Sequence, residues 1–323
     1  MKQLKRTLLI IALFIGFQSQ AQKDWSKVDF TKDYKGKSKI GGGMAKSLKN
    51  DKTFVSSYAI GQAIVMKGSE TSGALQSGSR KTVFSEASLD GISREEYQQM
   101  SDELYQELIA ELKNAGLNIT TGEDVIASAF AKKQLAKDDA KIQIGSTGNA
   151  PSFDGKRKVD EGSMPGYPVG QVLRDLTFPP RDVNTYQTKK RIYGTFYQNL
   201  GVKEGFNLLH IKFFVSFASF EGGKGYKSVN LNTAPQLAVK VQLWMMGPKG
   251  SADIWYEKDI YGNNDWLVEM GKTKDNQGDA EFFGLARSAD YSITANSSAY
   301  LSEVKSIISN LQKDIVKHIK VSF

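Results

Sequence analysis

The side chains best suited to chemistry are few in this chain of 323 residues. It has no cysteine and only two histidines, His210 and His318, so thiol nucleophiles, iron–sulfur clusters and zinc fingers are excluded. The two histidines lie far apart in the sequence, whereas a metal site needs clustered ligands. We interpret His210 as a histidine on the polar face of a strand and His318 as a surface residue of a terminal helix. No metal site and no cofactor are therefore predicted.

Motifs for nucleophilic catalysis and phosphate binding are also missing. The sequence contains no G-x-S-x-G nucleophile elbow. Its glycine-rich stretches at 41–43 and 222–225 match neither the P-loop nor the dinucleotide-binding fingerprint, and we interpret them as turns. No catalytic residue is predicted from these motifs. The 35 acidic residues nevertheless leave open a pair of carboxylates that acts as acid and base in glycoside hydrolysis.

Aromatic residues in the C-terminal third offer a different kind of site. A platform for a sugar or a peptide could be formed by Trp244, Trp255, Tyr261 and Trp266. We expect Trp244 to pack in the core, although strand alternation places it opposite its apolar neighbours. A Trp244 that points outward would indicate a binding surface.

The first 21 residues have the layout of a secretory signal peptide. Lys2, Lys5 and Arg6 precede an apolar run at 7–17, and small residues suit cleavage after Ala21. We expect a periplasmic protein without a lipid anchor, since the chain has no cysteine to lipidate. Loss of these three positive charges lowers the formal net charge from +8 to +5. A basic excess of this size does not predict nucleic-acid binding in an exported protein.

Residues 22–323 are expected to form one exported domain. No stretch in them approaches the roughly 18 uninterrupted apolar residues of a membrane-spanning helix, so no span is predicted in the mature chain. The broad apolar and charged composition is that of an ordinary globular protein.

Helical periodicity is clearest in the first half of this domain. Ser93 and Glu96 have the spacing of a capping box, and Gly116 has the position of a left-handed stop. A short strand at 117–120 and a second capped helix from Thr121 follow. The first helix should bury an apolar stripe that recurs at helical spacing, Tyr97, Met100, Leu104, Leu108, Leu112 and Ala115.

Alternation of apolar and polar residues predicts strands elsewhere. They are expected at 54–66, 209–217, 237–245, 252–261 and 291–294. A final amphipathic helix should bury Tyr300, Val304, Ile307, Leu311 and Ile315. Together these elements predict an α/β or α+β fold, with a single sheet of about five strands packed by amphipathic helices and a long Pro/Gly-rich excursion.

That excursion covers about residues 136–190, where periodicity fails and five of the seven prolines lie. Such a long irregular segment inside a compact domain is either a functional loop or flexible. Its aromatic content favours an ordered arm that contacts a partner. The residues predicted for this interaction are Phe178, Pro179, Pro180, Arg181 and Tyr186.

Residues 93–131, a helix followed by a Gly116 turn, a strand and a helix opened by Glu123 and Asp124, resemble a known family. They are similar to the periplasmic α/β domain of the curli-assembly CsgG group and of the TolB N-terminal group. The resemblance implies a scaffold for envelope assembly or binding, and no catalytic activity.

The predicted function is therefore that of a non-enzymatic periplasmic binding or assembly module that acts through protein contacts. An envelope or outer-membrane protein is the expected partner. One concrete form is an accessory or plug subunit of an outer-membrane secretion channel. The alternative is an envelope glycan or peptidoglycan hydrolase that uses paired carboxylates beside an aromatic shelf. The shape of the surface around Trp244 and His210 distinguishes the two.

Overall fold

A computed structural model describes most of the chain after the predicted leader. It covers residues 23–71, 82–138, 141–144, 171–181, 184–187, 193–224, 229–275 and 285–322. The predicted signal peptide and residues 145–170 of the predicted arm lie outside the described residues.

The described residues form thirteen strands and seven α-helices. The strands are β1 (Gly36–Ile40), β2 (Lys52–Thr71), β3 (Thr82–Asp90), β4 (Asn118–Ile119), β5 (Lys141–Ile144), β6 (Gln171–Phe178), β7 (Asn184–Gln187), β8 (Asn207–Lys224), β9 (Val229–Gly247), β10 (Gly250–Tyr256), β11 (Ile260–Tyr261), β12 (Leu267–Asp275) and β13 (Leu285–Ala295). The helices are α1 (Phe30–Asp33), α2 (Gly42–Asn50), α3 (Arg94–Asn114), α4 (Gly122–Ala127), α5 (Ala129–Asp138), α6 (Tyr193–Glu204) and α7 (Ser297–Val321).

The main sheet has eleven strands, so the predicted single sheet of about five strands is wrong. Its order is β1-β10-β9-β8-β2-β3-β13-β12, with β11 paired to β9 and with β4 and β6 paired to β2. It is a mixed sheet, because β2 runs parallel to β8 and β3 runs parallel to β13, whereas the hairpins are antiparallel. The strands that the sequence analysis did not predict include edge strands rich in lysine and glycine. Apolar and polar residues do not alternate in these strands.

The predicted irregular excursion contains regular structure wherever it is described. β6 pairs with the centre of β2 and so belongs to the main sheet. β5 and β7 form a separate two-stranded sheet. The prediction that this whole segment lacks periodic structure is therefore wrong for these three stretches.

The helix α3 confirms the strongest sequence prediction. The reciprocal bonds of the capping box between Ser93 and Glu96 are both present, and Gly116 has a φ of +95° just after the helix. Five residues of the predicted stripe, Tyr97, Met100, Leu104, Leu108 and Leu112, are buried. The sixth, Ala115, follows the last helical residue as the C-cap and is half-buried, so its prediction as a stripe residue is wrong. The stripe holds α3 against the sheet.

The C-terminal helix α7 packs beside α3, and together they cover one side of the sheet, here called the inner face. The predicted stripe of α7 is also confirmed, since all five of its residues are buried. Alternate residues of β8 face this layer, including Ile211, Phe213 and Val215. The buried amide of Gln312 in α7 donates a 2.7 Å hydrogen bond to the hydroxyl of Tyr58 in β2.

The opposite side of the sheet, the outer face, is covered by helices at one end. There a small apolar cluster joins the starts of β2 and β8 to α4, α5 and α6, with Phe54, Val125, Phe130, Leu200 and Leu208 among its members. Leu208 pairs with Met246 across β8 and β9. The next outward-facing pair along these strands, His210 and Trp244, is not part of this cluster.

The pairing of β8 with β2 ends at Val215, and the register of β8 and β9 shifts between Ser216 and Ala218. Beyond this point β8 and β9 contact β3. The hydroxyl of Thr233 donates a 2.9 Å hydrogen bond to that of Ser85 in β3. Gly68 permits this close approach, because a Cβ there would lie 2.2 Å from Cγ of Phe220.

Among the described residues, no helix is long and apolar enough to span a membrane.

The N-terminal segment is tied to α7 by a buried carboxylate. Oε1 of Glu303 accepts hydrogen bonds from the indole N–H of Trp25 and from the backbone N–H of Asn263, each at 2.9 Å. Trp25 itself is buried. Glu303 therefore joins the first described turn, the loop after β11 and the last helix.

Replacing this carboxylate tests whether it acts as a hydrogen-bond acceptor. Glu303→Ala leaves two buried N–H groups without a partner, so we expect it to lower the free energy of unfolding by about 2–4 kcal/mol. Glu303→Gln keeps an acceptor oxygen and should lose about 1 kcal/mol. Urea unfolding followed by tryptophan fluorescence measures both. Equal losses in the two variants would contradict the acceptor role.

Candidate functional site

Several of the predicted interaction residues of the arm make contacts with α3. The ring of Phe178 is buried and stacks on Tyr97 of α3 at 5.2 Å between ring centroids. Its backbone carbonyl accepts a 2.6 Å hydrogen bond from the hydroxyl of Ser101. Pro180 is buried as well, whereas Pro179 is half-buried.

The residue after these prolines continues the attachment to α3. The backbone N–H of Arg181 donates to Oδ1 of Asp102 at 2.8 Å, and its Nε lies 2.9 Å from Oδ2 of the same residue. Its guanidinium also pairs with Glu95. Tyr186 lies in β7, opposite Ile142, and its side chain is outside the described residues. The stretch 178–181 thus fastens the arm to α3, with Phe178 and Pro180 buried and Arg181 exposed. An interaction of a partner with this stretch stays a prediction.

An open surface does exist on the outer face of the sheet. The pairing of β2, β8, β9, β10 and β1 places polar, charged and aromatic side chains there in rows. We call this surface the outer patch, and it consists of Lys39, His210, Lys212, Lys240, Gln242, Trp244, Asp253, Trp255 and Tyr261.

The first row of the outer patch follows directly from the strand register. His210 pairs with Trp244, Trp244 with Asp253, and Asp253 with Lys39. Ser57 of β2 extends the row on the other side, because it pairs with His210. Successive residues of a strand point to opposite sides, so these residues face outward while their neighbours fill the core.

The next rows repeat this arrangement two residues further along each strand. Lys212 pairs with Gln242, and Phe214 pairs with Lys240. Trp255 lies two residues after Asp253, and Tyr261 pairs with Ala238. Trp255 is 40% exposed and Tyr261 is 42% exposed, so both aromatic rings are accessible to a partner.

His210 and Trp244 stack on each other where the helical cover of the outer face ends. Their ring centroids are 4.6 Å apart and their planes differ by 13°. Trp244 is half-buried on the outer face, so the expectation that it packs in the core is wrong. Trp266 does lie in the core, where its indole N–H donates to the carbonyl of Asn263 at 2.8 Å. Three of the four aromatic residues of the predicted platform therefore share one surface.

Burial keeps the imidazole of His210 uncharged at neutral pH. Desolvation, and secondarily the positive charge of Lys212, lower the pKa of His210 from 6.5 to about 4. Neutral imidazole can donate or accept a hydrogen bond and stacks on the indole without a charge to solvate. The imidazole at the centre of the outer patch is thus a polar contact group at neutral pH.

Some lysines in and around the outer patch pair with a carboxylate, and others take part in none of the described ion pairs. Glu257, at its rim, pairs with Lys37 and, at 3.6 Å, with Lys35. Burial raises the pKa of Asp259, and the nearby Lys240 opposes this shift. Lys212 makes no salt bridge among the described ion pairs, although it is half-buried between His210 and Phe214.

The two aspartates beside the outer patch, Asp253 and Asp259, lie in different rows of the sheet. Asp253 is level with Trp244, and Asp259 precedes Ile260, which pairs with Val239. Their Cα atoms are therefore about 13 Å apart along the strand direction, given about 3.3 Å per residue. Catalytic carboxyl groups in glycosidases are about 5–9.5 Å apart.

No group of three potential metal ligands occurs within the part of the chain that the structure covers. His318 lies in α7, where its Nε2 is 3.5 Å from Oδ2 of Asp314. That carboxylate also accepts a 2.8 Å hydrogen bond from the hydroxyl of Tyr256. The interpretation of His318 as a surface residue is wrong, since its side chain is 18% exposed.

Sequence reasoning identified the aromatic residues but not the lysines that surround them. Lys212 and Lys240 are visible as the polar members of the alternation in β8 and β9. Lys39 carried no such signal, because the strand β1 that holds it has no apolar alternation.

The chain matches no family model, and no curated protein or solved structure is significantly similar to it. The resemblance of residues 93–131 to the CsgG and TolB groups stays a prediction.

The lowered pKa of His210 predicts an acid-sensitive contribution to stability. As the pH falls below about 6.5, the unfolded chain binds a proton that the folded protein refuses until about pH 4, so stability is lost over this window. Between pH 7.5 and 5 we expect wild type to lose about 1–2 kcal/mol more than His210→Phe, which keeps a stacked ring. Urea unfolding at both pH values measures the difference. Identical losses would show that His210 titrates normally in the folded state.

Proposed function

We propose that this protein is a non-enzymatic binding or assembly module of the periplasm that contacts another protein through the outer patch. One observation carries the proposal. The inner face of the sheet is buried under α3 and α7, whereas the outer face presents Trp255 and Tyr261, each about 40% exposed, beside lysines on rigid strands.

Aromatic residues on a rigid surface are suited to protein recognition. Trp and Tyr are enriched among the residues that dominate binding energy, because they bury a large area while losing little conformational freedom. Trp255 pairs with Lys37, and the preceding residue, Ile254, pairs with Leu243, which is next to Gln242 in β9. Lysine stems around such rings can exclude water while their ammonium groups remain solvated.

The cellular setting of the proposal comes from the sequence. A leader with the layout of residues 1–21 directs export, and the resemblance of residues 93–131 to envelope-assembly domains suggests a partner in the envelope. We propose an accessory or plug subunit of an outer-membrane secretion channel as the concrete form of this function.

A hydrolase acting on envelope glycan is the second candidate. Burial raises the pKa of Asp259, which lies beside Tyr261, and this is the direction of shift that a general acid needs. The wide spacing from Asp253 counts against it. Purified protein incubated with peptidoglycan should release no soluble fragments. Release that is lost in Asp259→Asn would establish the hydrolase instead.

Site-specific photo-crosslinking in cells tests the binding function. p-Benzoylphenylalanine replaces Gln242, which is exposed in the outer patch, or Lys272, which is exposed on β12 at the far end of the sheet. We expect a discrete protein adduct from position 242 and none from position 272, because only the first lies in the proposed interface.

Trp255→Ser in the position 242 background provides the matched control. It removes an exposed ring without touching the core, so the protein should fold normally while the adduct is lost. Absence of any adduct from position 242, or equal adducts from both positions, would contradict the proposed function.

A further inference from the structure

We propose that the outer patch binds an extended, acidic segment of the partner protein, whose carboxylates pair with Lys212 and Lys240 while alternate apolar side chains pack on Trp244 and Trp255. This inference rests on the proposed function and specifies the chemistry of its partner. The periodicity, the charge and the aromatic rings of the outer patch support it.

The periodicity of the patch matches an extended chain. Its side chains recur every second residue along each strand, as in Trp244, Gln242 and Lys240 of β9, which gives a repeat of about 6.7 Å. A polypeptide in extended conformation presents its own alternate side chains with the same repeat. A segment laid along β8 and β9 can therefore meet successive rows in register.

The unmatched charge lies at the middle of this surface. Lys212 in β8 and Lys240 in β9 occupy adjacent rows of neighbouring strands, and the described ion pairs include neither. The carboxylates are on the β10 side, where Asp253 is opposite Lys39 and Glu257 is paired with Lys37. Asp259 lies near Lys240: burial raises the pKa of that carboxyl, and the positive charge of Lys240 lowers it. An incoming carboxylate thus meets uncompensated positive charge at Lys212.

Polar neighbours of Lys212 complete a site for a carboxylate. His210 precedes it by two residues on the same side of β8, and Ser57 pairs with His210 across β2. The imidazole is neutral at pH 7 because of its lowered pKa. An ammonium, an imidazole and a hydroxyl together can supply hydrogen bonds to one carboxylate group.

The aromatic rings give the same surface an apolar component. Trp244 of β9 stacks on His210. Trp255 lies in the neighbouring strand β10, two residues after Asp253, which pairs with Trp244. An acidic segment with apolar residues at alternate positions satisfies both components, whereas a basic segment would be repelled by the lysines.

Identification of the crosslinked peptide separates this inference from the function on which it rests. Mass spectrometry of the adduct from position 242 should map it to a partner segment with more acidic than basic residues. An adduct to a neutral or basic segment, or to a glycan, would overturn the inference of an acidic polypeptide. A protein adduct of any charge would leave the binding function intact.

Lys212→Glu tests the charge requirement, and Lys272→Glu on β12 is the matched control. We expect the adduct yield from position 242 to fall about tenfold in the first variant and to stay unchanged in the second, since reversal of one well-placed charge commonly costs that much affinity. Lys212→Met removes the charge without reversing it, and circular dichroism of each variant checks the fold. Unchanged yield in folded Lys212→Glu and Lys212→Met would overturn the proposal.

A purified system tests the ligand class directly. The probes are a synthetic peptide in which glutamate alternates with valine, a peptide in which lysine replaces glutamate, and polygalacturonate. Tryptophan fluorescence should report binding of the glutamate peptide alone, weakened by added salt and about tenfold weaker in Lys240→Glu. Equal binding of both peptides, or tighter binding of polygalacturonate than of the glutamate peptide, would contradict the inference.

Discussion

The structure depends on the burial of one side of the large sheet beneath α3 and α7. Because side chains alternate across a strand, each residue that enters this core directs its neighbour to the other side. Ile211 and Phe213 lie in the core, and their position directs His210 and Lys212 outward. A slip of one residue would bury those polar groups. The core residues thus determine which side chains face outward in the outer patch.

The two sides of the sheet are covered to different extents. Helices pack on the inner face along α3 and α7, but on the outer face the described helices cover the end around Phe54 and Leu208. Single exposed aromatic residues are common on protein surfaces, whereas here aromatic and basic side chains are aligned on one side of the sheet. The proposed binding function and the acidic partner segment both depend on this difference.

Much of the fold could be predicted where local pattern and packing agree. The stripe of α3 and the alternation in β8 identified core residues correctly because each is amphipathic at its own period. The size of the sheet was not predictable, because β1 reads Gly-Lys-Ser-Lys-Ile and is a strand only through its pairing with β10. Likewise, alternation placed Trp244 opposite Leu243 and Met245, but which side the helices leave open is decided by tertiary packing.

A partner that binds the outer patch in the cell should cover its lysines. Lysine acylation with a small reagent can be compared between intact envelopes and the purified protein. We expect Lys212 and Lys240 to react in the purified protein but to be protected in envelopes, while exposed Lys272 on β12 reacts equally in both. Equal reactivity of Lys212 and Lys240 in both preparations would contradict such binding.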